Sequence, residues 1–76
     1  MKRFEIGVDY VAADPGVSII TITGRTKNFI QYYNSSGCWQ MKIRYDQDGN
    51  EMLIDSSVPK RFRDMYTYNA AWEAGR

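Results

Sequence analysis

Histidine is absent from this chain of 76 residues, and cysteine occurs once, as Cys38. The first absence removes Ser-His-Asp and Cys-His nucleophile arrangements. Together the two leave a zinc ion without its usual four Cys or His ligands. A lone cysteine cannot form an internal disulfide, and an unpaired thiol fits a reducing compartment, so a cytoplasmic location is expected. Excess charge of one sign is also missing: 10 basic residues against 9 acidic ones give +1. Strong nucleic-acid modules carry a larger basic excess. No run approaches the roughly 20 apolar residues that span a bilayer. Lys2-Arg3 could open a signal peptide, but Phe4-Glu5-Ile6-Gly7-Val8-Asp9 alternates where an apolar run should follow. Gly24 and Gly37 stand alone, so no phosphate-cradling glycine pattern is present.

Aromatic residues, in contrast, are plentiful: 6 Tyr, 3 Phe and 2 Trp. Each such ring buries on the order of 150–250 Å². That content argues for a folded chain. A domain this small buries only about 60% of its unfolded surface, so good packing or self-association must supply stability.

The prevailing period is two, which is strand chemistry. Phe4, Ile6, Val8 and Tyr10 alternate with polar residues across a first strand, Lys2 to Tyr10, in which Gly7 marks a bulge or a close backbone approach. Asp14-Pro15-Gly16 suits a type II turn. Val17 to Thr23 is β-branched almost throughout, with apolar residues on both faces, so this strand belongs centrally in the sheet or under another element. Gly24-Arg25 should break or kink the chain. Lys27 to Tyr33 reads as a third strand, Asn34-Ser35-Ser36-Gly37 as a turn, and Cys38 to Tyr45 as a fourth strand. Asp48-Gly49 closes a hairpin onto Glu51-Met52-Leu53-Ile54. Residues 58–64 suit a helical turn with Ser56 or Ser57 as cap and Pro59 in its first turn. Phe62, Tyr66 and Asn69 have helical spacing, but Met65-Tyr66-Thr67-Tyr68 also suits a strand, so the favoured reading is the helical turn followed by an extended segment that could pair with the first strand.

Catalytic chemistry has little to work with. Cys38 would need a cationic neighbour to become a nucleophile, and Lys42 is a weak candidate; a small packed residue is the plainer reading. Asp46, Asp48 and Asn50 have the spacing of calcium ligands. Glycine, however, stands fourth rather than sixth, and Ser57 takes the place of the twelfth-position glutamate, so the segment reads as a turn. No catalytic residue, metal or cofactor is expected.

Register gives one candidate binding face. If the Asn34–Gly37 turn sets Tyr33 opposite Cys38, then Tyr32 faces Trp39 and Ile30 faces Met41 on the core side. The other side carries Lys27, Phe29, Gln31 and Tyr33 beside Cys38, Gln40, Lys42 and Arg44. Cations interleaved with rings suit a protein partner or, alternatively, single-stranded nucleic acid, whose bases stack on aromatics while Lys and Arg hold phosphates. Solvated charges covering a sheet surface are the plain counterpart. The second cluster, Lys60-Arg61-Arg63 around Phe62, is too short for membrane binding.

The run Thr21-Ile22-Thr23-Gly24-Arg25-Thr26-Lys27-Asn28-Phe29-Ile30, with Met41-Lys42-Ile43-Arg44, Asp48-Gly49-Asn50-Glu51 and Tyr66-Thr67-Tyr68-Asn69-Ala70, resembles a group of short uncharacterised β-rich proteins. These are encoded on plasmids, phages and conjugative elements of gut bacteria. The resemblance covers about two thirds of the chain, mostly its centre. It implies a cytoplasmic accessory protein of a mobile element, with no known activity and no functional residues to transfer.

The expected fold is mainly β: an antiparallel meander of about five strands in an SH3-like partial barrel, with one short helical segment near the C-terminus. It forms a single small β domain over 1–76, with 70–76 as a loose tail. The expected core is Phe4, Ile6, Val8, Tyr10, Ile20, Ile22, Ile30, Tyr32, Trp39, Met41, Ile43 and Phe62. The expected role is a small binding module, not an enzyme, acting through a protein partner or self-association. Nucleic acid is the alternative, and no membrane is involved.

Overall fold

The computed structural model describes residues 1–14, 18–55 and 57–74. Among these, seven antiparallel strands form a nearly closed barrel: β1 (Asp9–Ala12), β2 (Ile19–Arg25), β3 (Phe29–Asn34), β4 (Gly37–Lys42), β5 (Arg44–Tyr45), β6 (Glu51–Ile54) and β7 (Thr67–Glu73). A lone 3-10 turn, Lys60–Tyr66, precedes β7. The strand order is β4-β3-β2-β1-β7-β6-β5. Pro15 and Gly16 of the proposed turn, the start of the second strand at Val17 and the cap at Ser56 lie outside the described residues, as do residues 75–76.

Seven strands replace the expected five for two reasons. First, Cys38–Tyr45 is not one strand. It changes partner at Ile43: β4 pairs with β3, and β5 pairs with β6. Ile43 is buried, and its N–H donates to the Asn28 carbonyl at 2.8 Å. Second, the chain after the 3-10 turn is a full strand. β7 pairs with both β1 and β6, and Ala70 is buried at its centre. The loose tail expected from residue 70 is therefore corrected as far as Glu73. The extended segment pairing back onto the first strand is present as expected.

The two ends of the strand order, β4 and β5, are joined covalently at Ile43. The barrel thus closes there and stays open further along, where β4 and the chain leaving β6 diverge.

The first strand is shorter than its alternation suggests. Residues Glu5 to Val8 form a turn, with the Val8 N–H donating to the Glu5 carbonyl at 3.2 Å and Gly7 at φ +86°. Positive φ at the third position of a turn is a glycine conformation. This turn takes one residue off the core face and leaves the parity of the others unchanged: Val8, Tyr10 and Ala12 still point the same way as Phe4. Phe4 stays inside, ring edge to face with Tyr10 at 4.8 Å, while Ile6 stands at the turn and is 61% exposed. The core place expected for Ile6 is therefore wrong.

A bulge interrupts β2. Between Ile22 and Gly24 the register against β3 shifts, and Arg25 then pairs with Ile30, on the barrel side. Strict alternation from Ile20 and Ile22 would have sent Arg25 outward. Bulges re-aim side chains in this way.

Ile20, Ile22, Ile30, Tyr10, Phe4 and Leu53 fill the interior, joined by Ala12, Tyr32, Ile43, Tyr68 and Ala70, with Val8 and Met41 packed against them. Two further expected core residues are corrected. Trp39 is 51% exposed and Phe62 is 41% exposed. Trp39 has the inward parity, opposite Tyr32, but it faces the open side of the barrel and stays half-exposed there. Phe62 lies on the 3-10 turn with the Arg61 guanidinium over its ring at 4.8 Å.

Candidate functional site

The register proposed for β3 and β4 is the register observed: Tyr33 opposite Cys38, Tyr32 opposite Trp39, Gln31 opposite Gln40, Ile30 opposite Met41 and Phe29 opposite Lys42. A two-residue loop, Ser35-Ser36, sets it. The Ser36 N–H donates to Asn34 Oδ1 at 2.8 Å, and Gly37 takes φ +126°. The outer face therefore brings together Phe29, Gln31, Tyr33, Cys38, Gln40 and Lys42, all exposed. Gln31 donates to Gln40 across the strands at 3.4 Å. Two named residues sit apart from this face. Lys27 lies beyond β3 and lines a groove with Arg3, Arg25 and Tyr45 at the barrel end. Arg44 lies past the change of partner at Ile43, opposite Met52. No Asp or Glu occurs between Asp14 and Asp46, so β2 to β5 present cations without counter-charges of their own.

A second site went unread in the sequence. It is the cleft on the open side of the barrel, about 610 Å³ in volume. One wall is β4, with Trp39, Gln40 and Met41. The other is the chain leaving β6 and entering β7, with Asp55, Ser57 and Tyr66. Tyr32 and Tyr68 form its floor, and Ser18, Asn34, Ser35 and Ser36 its upper rim. The Trp39 Nε1–H donates to Asn34 Oδ1 at 3.2 Å, which fixes the indole over the opening. Asp55 Oδ1 accepts the Ser57 N–H at 3.0 Å and the Ser57 hydroxyl at 2.6 Å. Among the described residues Asp55 is the sole charged group lining the cleft.

The floor tyrosines stay neutral well into the alkaline range. Burial pushes Tyr32 up to about 12, aided by the Asp55 charge. Burial also raises Tyr68, opposed by a hydrogen bond to the Ser18 hydroxyl and supported by Asp55. Both are therefore hydroxyl donors at neutral pH.

Beyond Tyr66 the cleft continues onto an apolar shelf made by the 3-10 turn and the two residues before it: Val58, Pro59, Phe62 and Met65. Among the described residues no strand pairs with the outer edge of β4, which is the last strand in the sheet order. Cleft, shelf and free edge adjoin one another.

Two polar clusters elsewhere serve the fold. Glu51, 3% exposed, accepts the Phe4 N–H at 2.8 Å and both Arg25 Nη atoms, at 2.9 and 2.6 Å. Burial works to raise its carboxyl, but the Arg25 bonds, the Phe4 N–H and the Arg25 and Arg3 charges outweigh it and hold the group lower. Arg25 also donates to the Phe4 carbonyl at 2.7 Å, so the pair straps the N-terminal segment to β2 and β6. Asp46 begins the turn into β6. Its oxygens accept from the Asp48 and Asn50 N–H groups and from the Asn50 and Asn69 amides. Donation from Asn69, then from Asn50 and Asp48, lowers it to about 2. Gly49 takes φ +81°, and the segment is a hairpin turn as expected.

Four residues that pair a ring with a polar tip, Tyr32, Trp39, Tyr66 and Tyr68, meet in the cleft. They come from two stretches far apart in the chain, and no spacing in the sequence joins them. Comparison with known proteins finds no matching family model, no matching curated protein and no matching solved structure.

Proposed function

We propose that this chain is a small protein-interaction module serving a mobile genetic element, and that it grips an extended partner segment along the cleft and its shelf. The observation that carries the reading is Trp39: a half-exposed indole on an unpaired strand edge, continuous through Tyr66 with exposed Phe62 and Met65. Contiguous exposed apolar surface marks interaction sites. An open strand edge beside side-chain pockets suits a partner that adds in extended form, with main-chain bonds for affinity and pockets for specificity. We read the barrel as SH3-like, on the strength of its 3-10 turn ahead of a last strand that pairs with the first. The role is binding and not catalysis.

Selection of peptides from a displayed random library on the intact protein tests this. Binders should be lost on Trp39→Ala and weakened on Phe62→Ala, yet kept on Lys42→Ala. A selection without binders, or binders indifferent to Trp39, would reject the reading. A Trp39-dependent dimer in sedimentation would put a second copy in the cleft instead.

A second reading uses the outer face of the same strands. Phe29 and Tyr33 are exposed beside Lys42 on a stretch free of acidic residues, which suits single-stranded nucleic acid. Fluorescence titration with a labelled oligothymidylate at low salt decides it. Binding that falls on Phe29→Ala and Lys42→Ala, and weakens as salt rises, would favour this face over the cleft.

A further inference from the structure

We infer that the cleft seats a lysine or arginine side chain of the partner segment, its cation between the Trp39 and Tyr66 rings and against the Asp55 carboxylate. The inference rests on the interaction reading above and adds the chemistry of the guest.

Three observations converge on a cation. The first is charge. Asp55 is the sole charged group among the described lining residues, and no described lysine or arginine forms an ion pair with it. The cations of the 3-10 turn, Lys60, Arg61 and Arg63, are not among the lining residues, and Arg61 is turned over Phe62. The second is the ring set. Trp39, Tyr66, Tyr32 and Tyr68 line one opening, and aromatic faces attract ammonium and guanidinium groups, tryptophan most of all. The third is the division between the two surfaces. Apolar partner residues have the shelf of Val58, Pro59, Phe62 and Met65. The cleft offers hydroxyls, a carboxylate and π faces, which a long aliphatic stem ending in a cation matches along its whole length. The opening reaches solvent, so such a cation keeps part of its hydration while it docks.

The test uses the intact protein and the selected peptides. In the tightest Trp39-dependent binder, each lysine or arginine is replaced in turn by norleucine, and affinity is read by the shift of the Trp39 indole N–H resonance. At one position the replacement should weaken binding about tenfold. With Asp55→Asn protein the same replacement should cost clearly less, because the carboxylate share of the preference is gone. Phe62→Ala should weaken all peptides alike and leave that preference intact. Binders that hold no lysine or arginine, or that tolerate norleucine everywhere, overturn the inference while leaving the interaction reading standing. Binders that do not move the Trp39 resonance overturn both. Unchanged thermal melts for the Asp55→Asn and Phe62→Ala proteins establish that a loss belongs to the site.

Discussion

Buried Glu51 and partly buried Arg25 form a forked pair, and Arg25 is what lets the Glu51 carboxylate sit inside. Removing one partner of such a pair strands the remaining charge, which costs about 3–5 kcal/mol. Glu51→Ala should therefore lower unfolding stability in urea by about 3 kcal/mol. Arg25→Met with Glu51→Leu should cost less than the two single losses added together. Arg3, itself well exposed at 3.8 Å from Glu51, should matter little on truncation. The pair also sets an acid limit. Folding holds both Glu51 and Asp46 below the ordinary carboxylate range, so the unfolded chain binds protons first. Their stabilisation is complete above the unfolded value near about 4 and is lost as pH falls through the folded values, about 2 for Asp46. Urea midpoints should be flat above about pH 5 and fall below it, and Asp46→Asn should shallow the fall. At this scale the sequence was partly readable. The Asp46 turn follows from Asp-Gly chemistry. The Glu51–Arg25 strap does not, because it depends on a bulge that no residue pattern announces.

Elements were legible where alternation ran unbroken and misread where a turn, a bulge or a tighter winding interrupted it. β3 and β4 have a two-residue turn and clean alternation, and their pairing came out residue for residue. The first strand failed at Gly7, where a turn exchanges Ile6 for solvent. Gly7→Ala puts a Cβ into open space but keeps φ at +86°, so the cost is conformational alone. It should amount to about 1 kcal/mol by thermal or urea melt. A loss beyond about 3 kcal/mol would mean that the turn is coupled to the core more tightly than the geometry implies. The bulge between Ile22 and Gly24 is the second interruption, and the 3-10 turn is the third: helical spacing put Phe62 inward, whereas the tighter winding leaves it 41% exposed on the shelf. The outer-face residues were readable from register alone. The cleft was not, since it arises from strands far apart in sequence.

For the whole molecule, the governing fact is that β4 and β5 are one chain with two partners, switched at Ile43. Strand count, exposure of Trp39 and existence of the cleft all descend from that switch. It also dictates how the molecule breathes. β4 is held along one margin by β3 and at one end by Ile43, and among the described residues its far corner, the Ser35-Ser36 hairpin, has strand pairing with β3 alone. Swinging that corner alters the gap toward Asp55 and leaves the β6–β7 and β7–β1 ladders untouched. Amide exchange should therefore be slowest in β1, β7 and the middle of β2, and should quicken along β4 from Lys42 toward Gly37. Uniform protection along β4 would speak against a free corner. A guest spanning from β4 to the Asp55 side acts as the missing rung of the ring, so its arrival should level that gradient, slowing hydrogen exchange at amides it never touches.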